Sequence, residues 1–72
     1  MQNVTVDFKE LDTFLKFQGR KRDWLARMLG VSPVIVSYWF SGERNMPSTY
    51  IALISAVIGV PFKYFTVQND NA

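Results

Sequence analysis

An all-α fold, one compact bundle of five short helices, is what this sequence predicts. Three observations lead there. Apolar residues recur at three-and-four spacing in successive stretches, the period of a helix with one buried face. Each of the four longer stretches closes on a glycine (Gly19, Gly30, Gly42 and Gly59), the residue best suited to the left-handed position after a helix. Strand-like alternation is confined to Val4 and Val6, and a lone strand that short has nothing local to pair with.

Residues 1–6 are therefore expected to form a flexible arm, residues 7–66 the single domain and residues 67–72 a disordered polar tail. Asp7 is the expected cap of helix 1, with Glu10 closing a capping box and Val6 packing on Leu11 as a hydrophobic staple. Phe8, Leu11, Phe14, Leu15 and Gln18 share a face, which places the helix at about 8–18. Helix 2 begins near Lys21 or Arg22, with Leu25, Met28 and Leu29 toward the core and Ala26 small enough to admit a neighbouring helix. Its start is poor, because Arg20, Lys21 and Arg22 stand where the helix dipole favours anions or a Ser/Thr cap. A locally disfavoured choice of this kind marks a candidate functional site.

Gly30 turns the chain, Ser32 caps helix 3 and Pro33 takes the first helical position, where its missing N–H costs nothing. Helix 3 then splits into two arcs. Ile35, Val36, Trp39 and Phe40 fall on the core side, while Pro33, Val34, Ser37, Tyr38 and Ser41 face outward. Ser48 is the expected cap of helix 4 at about 49–58, with Ile51, Ile54 and Ile58 as its inner stripe. Tyr50, Leu53 and Val57 widen that stripe almost all round, as extra burial or an interface would require. Val60-Pro61 opens a last helical turn that returns Phe62 and Phe65 to the core. The stretch from Lys21 to Gly42 thus reads as two short helices joined by a tight turn, a helix-turn-helix at about 21–41.

Composition excludes several kinds of function. With no cysteine and no histidine, the chain lacks thiolate metal sites, disulfides and the usual general base. It has no glycine-rich phosphate loop and no paired carboxylates at a credible spacing, so neither enzyme, cofactor, metal site nor small-molecule substrate is expected. The N-terminus has neither a basic segment nor an apolar run of a signal peptide, and the charge-free stretch from Asn45 to Phe62 is interrupted by Pro47 and Pro61. A soluble protein of the cytoplasm, without membrane contact, is the expectation. Eight Lys/Arg against six Asp/Glu give a net charge of only +2, but Arg20, Lys21, Arg22 and Arg27 crowd the first helix of the motif with Asp23 alone against them.

At LARMLGVSPVIVSYWFSGERNMP followed by LISAVIGVPFKYF, the chain resembles the lambda-repressor/Cro family of bacterial and phage regulators. The matching positions are Leu25-Ala26, Leu29-Gly30-Val31-Ser32, Val36-Ser37, Trp39, Gly42, Arg44-Asn45, Ile58-Gly59-Val60 and Phe65, covering roughly residues 20–66. The resemblance implies a five-helix lambda-repressor-like DNA-binding-domain fold with helix 3 as recognition helix. It also implies dimers on half-sites about 34 Å apart. Three departures qualify it. Lys21 and Arg22 replace the family's usual hydroxyl and amide residues at the start of helix 2. Pro33, Val34 and Ile35 stand where polar side chains commonly reach base edges, and Glu43 stands where a basic residue often lies near the DNA backbone. With its length and its MQNVTVDF start, the chain looks like one branch of the family, the small antirepressors (modulators of repression) of lactococcal temperate phages.

Two functions follow as expectations. In the first, the protein is a regulator of a phage lysis–lysogeny switch in the bacterial host cytoplasm, and its partner is the phage repressor. Arg20, Lys21, Arg22, Trp24, Pro33, Val34, Ser37, Tyr38, Ser41 and Arg44 are the candidate contact residues, and docking on the repressor's DNA-binding domain prevents or alters operator binding. The apolar arc would supply affinity there, and the cations would steer encounter. In the second, the same surface binds operator DNA directly, as a Cro-like repressor, with Arg20, Lys21, Arg22, Arg27 and Arg44 on phosphates. The two combine if DNA is touched only within a repressor complex.

Overall fold

Asp7 starts the first helix of the structure, a computed structural model that describes residues 3–69. Its carboxylate accepts from the backbone N–H groups of Lys9 at 3.1 Å and Glu10 at 3.2 Å. The reciprocal half of the expected capping box is absent, because the Asp7 N–H donates to the Phe65 carbonyl at 2.8 Å. That bond continues a two-stranded antiparallel sheet in which β1 (Asn3–Val6) pairs with β2 (Thr66–Asn69), Val6 opposite Thr66. The expected flexible arm and the first residues of the expected tail are therefore paired with each other over these strands. Val4 and Val6 are half-buried against the core and anchor the pair, which two isolated strands would lack. Met1, Gln2 and residues 70–72 of the expected arm and tail lie outside the described residues.

Four α-helices make up the rest: α1 (Phe8–Phe17), α2 (Arg22–Leu29), α3 (Pro33–Ser41) and α4 (Thr49–Ile58). The expected fifth helix is a single 3-10 turn at Phe62–Tyr64, so the fold is mostly helical with a small sheet rather than a five-helix bundle. Buried positions from all four helices and Phe65 form one core, comprising Leu11, Leu15, Leu25, Ala26, Leu29, Val36, Trp39, Ile51, Ile54 and Ile58. Ala26, fully buried, lets α2 and α3 approach closely, and Trp39 packs its ring against Tyr50 at 5.1 Å between centroids. The helix ends are joined as well. The Gln18 side-chain amide donates to the Ile58 carbonyl at 2.9 Å, satisfying an acceptor that the end of α4 leaves open.

Three expected core or cap assignments are corrected. Met28 is 52% exposed, because the buried arc of the eight-residue α2 centres on Leu25, Ala26 and Leu29 and leaves Met28 at its edge. Phe62 is 50% exposed; the chain leaves the 3-10 turn at Phe65 with φ −130°, so the two rings do not share a face. Ser48 is helical in backbone and makes no side-chain cap bond to α4. Instead the N–H groups of Tyr50 and Ile51 bond to the carbonyls of Pro47 and Ser48, a tight first turn that satisfies them without a cap. No helix among the described residues is long and apolar enough to cross a membrane.

Candidate partner-binding surface

The turn between α2 and α3 sets the surface. Gly30 sits at φ +73°, and its N–H and that of Val31 close α2 on the carbonyls of Arg27 and Ala26. The Ser32 hydroxyl then accepts from the Ile35 N–H at 3.2 Å and launches α3 with Pro33 at its first position. This fixes the rotation of α3. Val36 and Trp39 turn inward, Ile35 and Phe40 are half-buried, and Pro33, Val34, Ser37 and Ser41 are exposed. Val34 keeps 57% of its surface in solvent.

The polar groups of this outward face are few, and some are already engaged. Ser41 donates its hydroxyl to the Tyr38 carbonyl at 3.1 Å and accepts from the Glu43 N–H at 3.4 Å, closing the end of α3. Tyr38 is half-buried, with the Arg44 guanidinium 5.5 Å from its ring centroid. Only Ser37 presents a hydroxyl on an exposed residue of the face without a hydrogen bond among the described residues. The face therefore offers methyl groups, a proline ring, one phenol edge and the hydroxyl of Ser37.

The candidate cations fall in three places, with Arg20 and Lys21 also bordering a second open concavity that they share with Arg22, Asp12, Lys16 and Asp23. Arg20, Lys21, Trp24 and Pro33 line one open concavity of about 560 Å³, together with Gly19, Asp23 and Arg27. There the Arg20 guanidinium lies 4.4 Å from the ring centroid of the half-buried Trp24, a cation–π contact. Arg22 points elsewhere. Its Nε is 3.5 Å from the Asp12 carboxylate and its guanidinium stacks 4.2 Å over Phe40, which itself packs on Phe8 at 4.9 Å. Arg22 thus ties α1 to the motif, and Asp12 also holds Lys16 at 3.2 Å. Arg44 lies at the far end of α3, beside Tyr38. The expected contact set is in this way resolved into an apolar ridge on α3, a cationic concavity beside its start and one outlying arginine.

Arg27, which the sequence names among the phosphate-holding residues of the operator-binding reading but not among the repressor contacts, belongs to the concavity. Its spacing held the signal: it stands three residues after Trp24 and four after Asp23, one turn along the same helix face. The ion pairs among the described residues all involve Asp12, so Arg20, Lys21 and Arg27 have no carboxylate partner there. No cluster of possible metal ligands occurs among the described residues.

Comparison with known families matches residues 18–65 to the family described as Helix-turn-helix, a span that takes in all of α2, α3 and α4. Comparison with curated proteins and with solved structures finds no match. Two thirds of the chain, including the whole motif and the turn that orients α3, fit that family, and the chain belongs to the helix-turn-helix family of lambda-repressor/Cro type, a family of DNA-binding transcription regulators.

Proposed function

We propose that this protein is a phage genetic-switch regulator, an antirepressor that docks its helix-turn-helix surface on the DNA-binding domain of the phage repressor and prevents or alters operator binding. The observation that carries this reading is the exposed, apolar start of α3 at Pro33 and Val34. Reading a base edge takes hydrogen-bond donors and acceptors, worth about 1–3 kcal/mol of discrimination per good pair. No amide or guanidinium stands on this ridge, and the Ser41 hydroxyl is spent at the helix end. Apolar side chains gain about 1.5–3 kcal/mol each when fully buried, before the costs of association, so another protein is the counterpart that uses this ridge.

A second reading, a Cro-like repressor that binds operator DNA directly, is favoured by the family and by the unpaired Arg20, Lys21 and Arg27. Here Val34 would meet a thymine methyl, and Ser37 and Tyr38 would supply sparse base contacts. Titrating the purified protein alone onto operator DNA at several salt concentrations separates the two. The antirepressor reading expects no operator complex at micromolar protein. Operator binding that weakens by about 0.9 log units per log unit of salt for each phosphate engaged would establish the Cro-like reading in its place.

A further inference from the structure

The cations beside α3 need a counterpart that the apolar ridge does not supply. Arg20, Lys21 and Arg27 surround the concavity with Asp23 as its one carboxylate, and none of the three is neutralised by an ion pair among the described residues. Trp24 and Pro33 give the same open, shallow hollow two apolar walls. Cations around an aromatic wall fit an apolar side chain flanked by carboxylates.

Resting on the antirepressor reading, we propose that this concavity seats an acidic segment on the flank of the repressor's DNA-binding domain and not the DNA-reading surface itself. The sign of the charge decides between the two. A surface that holds phosphates is cationic, and a cationic hollow laid against it would be repelled. Val34 carries no charge and lies on the next position of α3 after Pro33, which lines the hollow, so the uncharged ridge and the cationic hollow adjoin at Pro33 and can meet neighbouring parts of one partner. The surface is then bipartite. Its apolar half covers, and its cationic half sets the orientation in which covering occurs.

Salt dependence reads the sign directly. The dissociation constant of the complex between the full chain and the repressor's DNA-binding domain is measured at about 50 mM and about 500 mM NaCl, where screening lengths differ about threefold. The expected result is a complex about tenfold weaker at the higher salt, as attraction between unlike charges requires. Arg27→Glu and Lys21→Glu should each lose about tenfold at the lower salt and flatten the salt dependence. Lys63→Glu changes the net charge equally but lies beside Tyr64, off the concavity, and should behave as the unaltered chain. Lys21→Glu places its new charge at the start of α2, where the helix dipole favours it, so loss of binding there is not loss of fold.

A complex that tightens with salt, or Arg27→Glu and Lys21→Glu variants no weaker than Lys63→Glu, would overturn the proposal. If Val34→Asp still abolishes that complex, the antirepressor reading stands and only the acidic counterpart is lost. Absence of any complex overturns both. Duplex DNA bound by the protein alone, and released by Arg27→Glu, would make phosphate the counterpart of these cations and overturn the proposal as well.

Discussion

Phe65→Ala is expected to remove most of the stability of the fold. Phe65 is fully buried, the largest of the side chains with almost no exposed surface, and it enters the core beside residues from all four helices. Truncating such a ring costs about 3–5 kcal/mol, from lost transfer energy and the cavity left behind. Total stability for a domain of this length is on the order of 4–11 kcal/mol at ordinary per-residue values. The backbone at the same position adds to the effect, since the Phe65 carbonyl accepts from Asp7 at 2.8 Å and leads into β2. Collapse around the missing ring would loosen the strand pair as well as the core. Thermal unfolding followed by far-ultraviolet circular dichroism should show a midpoint lower by more than about 12 °C. A shift of only a few degrees would mean that the sheet and the 3-10 turn are peripheral to the core.

Val34→Asp is expected to do the reverse, leaving the fold unchanged while abolishing the proposed complex with a repressor. Val34 is 57% exposed, so little burial is lost when it changes, and surface substitutions of this kind usually move stability by no more than about 0.5 kcal/mol. The new carboxylate would stand at the second position of α3, whose first turn has no acidic residue, and there the helix dipole stabilises it by about 0.3–1 kcal/mol. Within an apolar interface the same charge would be buried without a partner. Losing the apolar contact alone removes about 1.5–3 kcal/mol, and stranding a charge adds to it, so binding should weaken by at least about 100-fold. Isothermal titration with the repressor's DNA-binding domain measures this, with thermal unfolding as the check on folding. Unchanged affinity in a folded variant would remove Val34, and with it the apolar ridge, from the interface.

The helices were legible because each is written locally. The bounds of α2 and α3 and the end of α4 follow from the basic start at Lys21, from Ser32-Pro33 and from the glycines at 30, 42 and 59, all chemistry within one turn of the boundary they set. The start of α4 is the exception, since it carries no side-chain cap from Ser48. The strand pair was not legible. Val6 lies opposite Thr66 across sixty residues of sequence, and no local pattern announces a partner at that separation. That distant pairing also explains the half-formed capping box, since the Asp7 N–H that Glu10 would have taken belongs to Phe65.

The exposure of the outward arc was legible at Pro33, Val34, Ser37 and Ser41, because Ser32 and Pro33 fix where α3 begins, but not at Tyr38, which is half-buried beside Arg44. Where long cationic side chains reach was not legible. Arg20, Lys21 and Arg22 are adjacent in sequence, yet Arg22 is drawn toward Asp12 and Phe40 on α1 and α3 while Arg20 lies on Trp24. Those partners are tertiary, and charge counting along the chain does not contain them. Met28 and Phe62 show the same boundary for apolar residues, since periodicity names a face but not how far the neighbouring elements extend over it.

Whether the outward ridge of α3 meets a protein rather than base edges is tested most directly on the operator itself. Fluorescence anisotropy follows repressor occupancy of labelled operator DNA as this protein is added. Added protein should release the repressor from the operator or alter its complex there, while binding no operator by itself. An operator occupied by this protein alone, with repressor binding reduced only through competition for the same DNA, would contradict a protein-directed ridge.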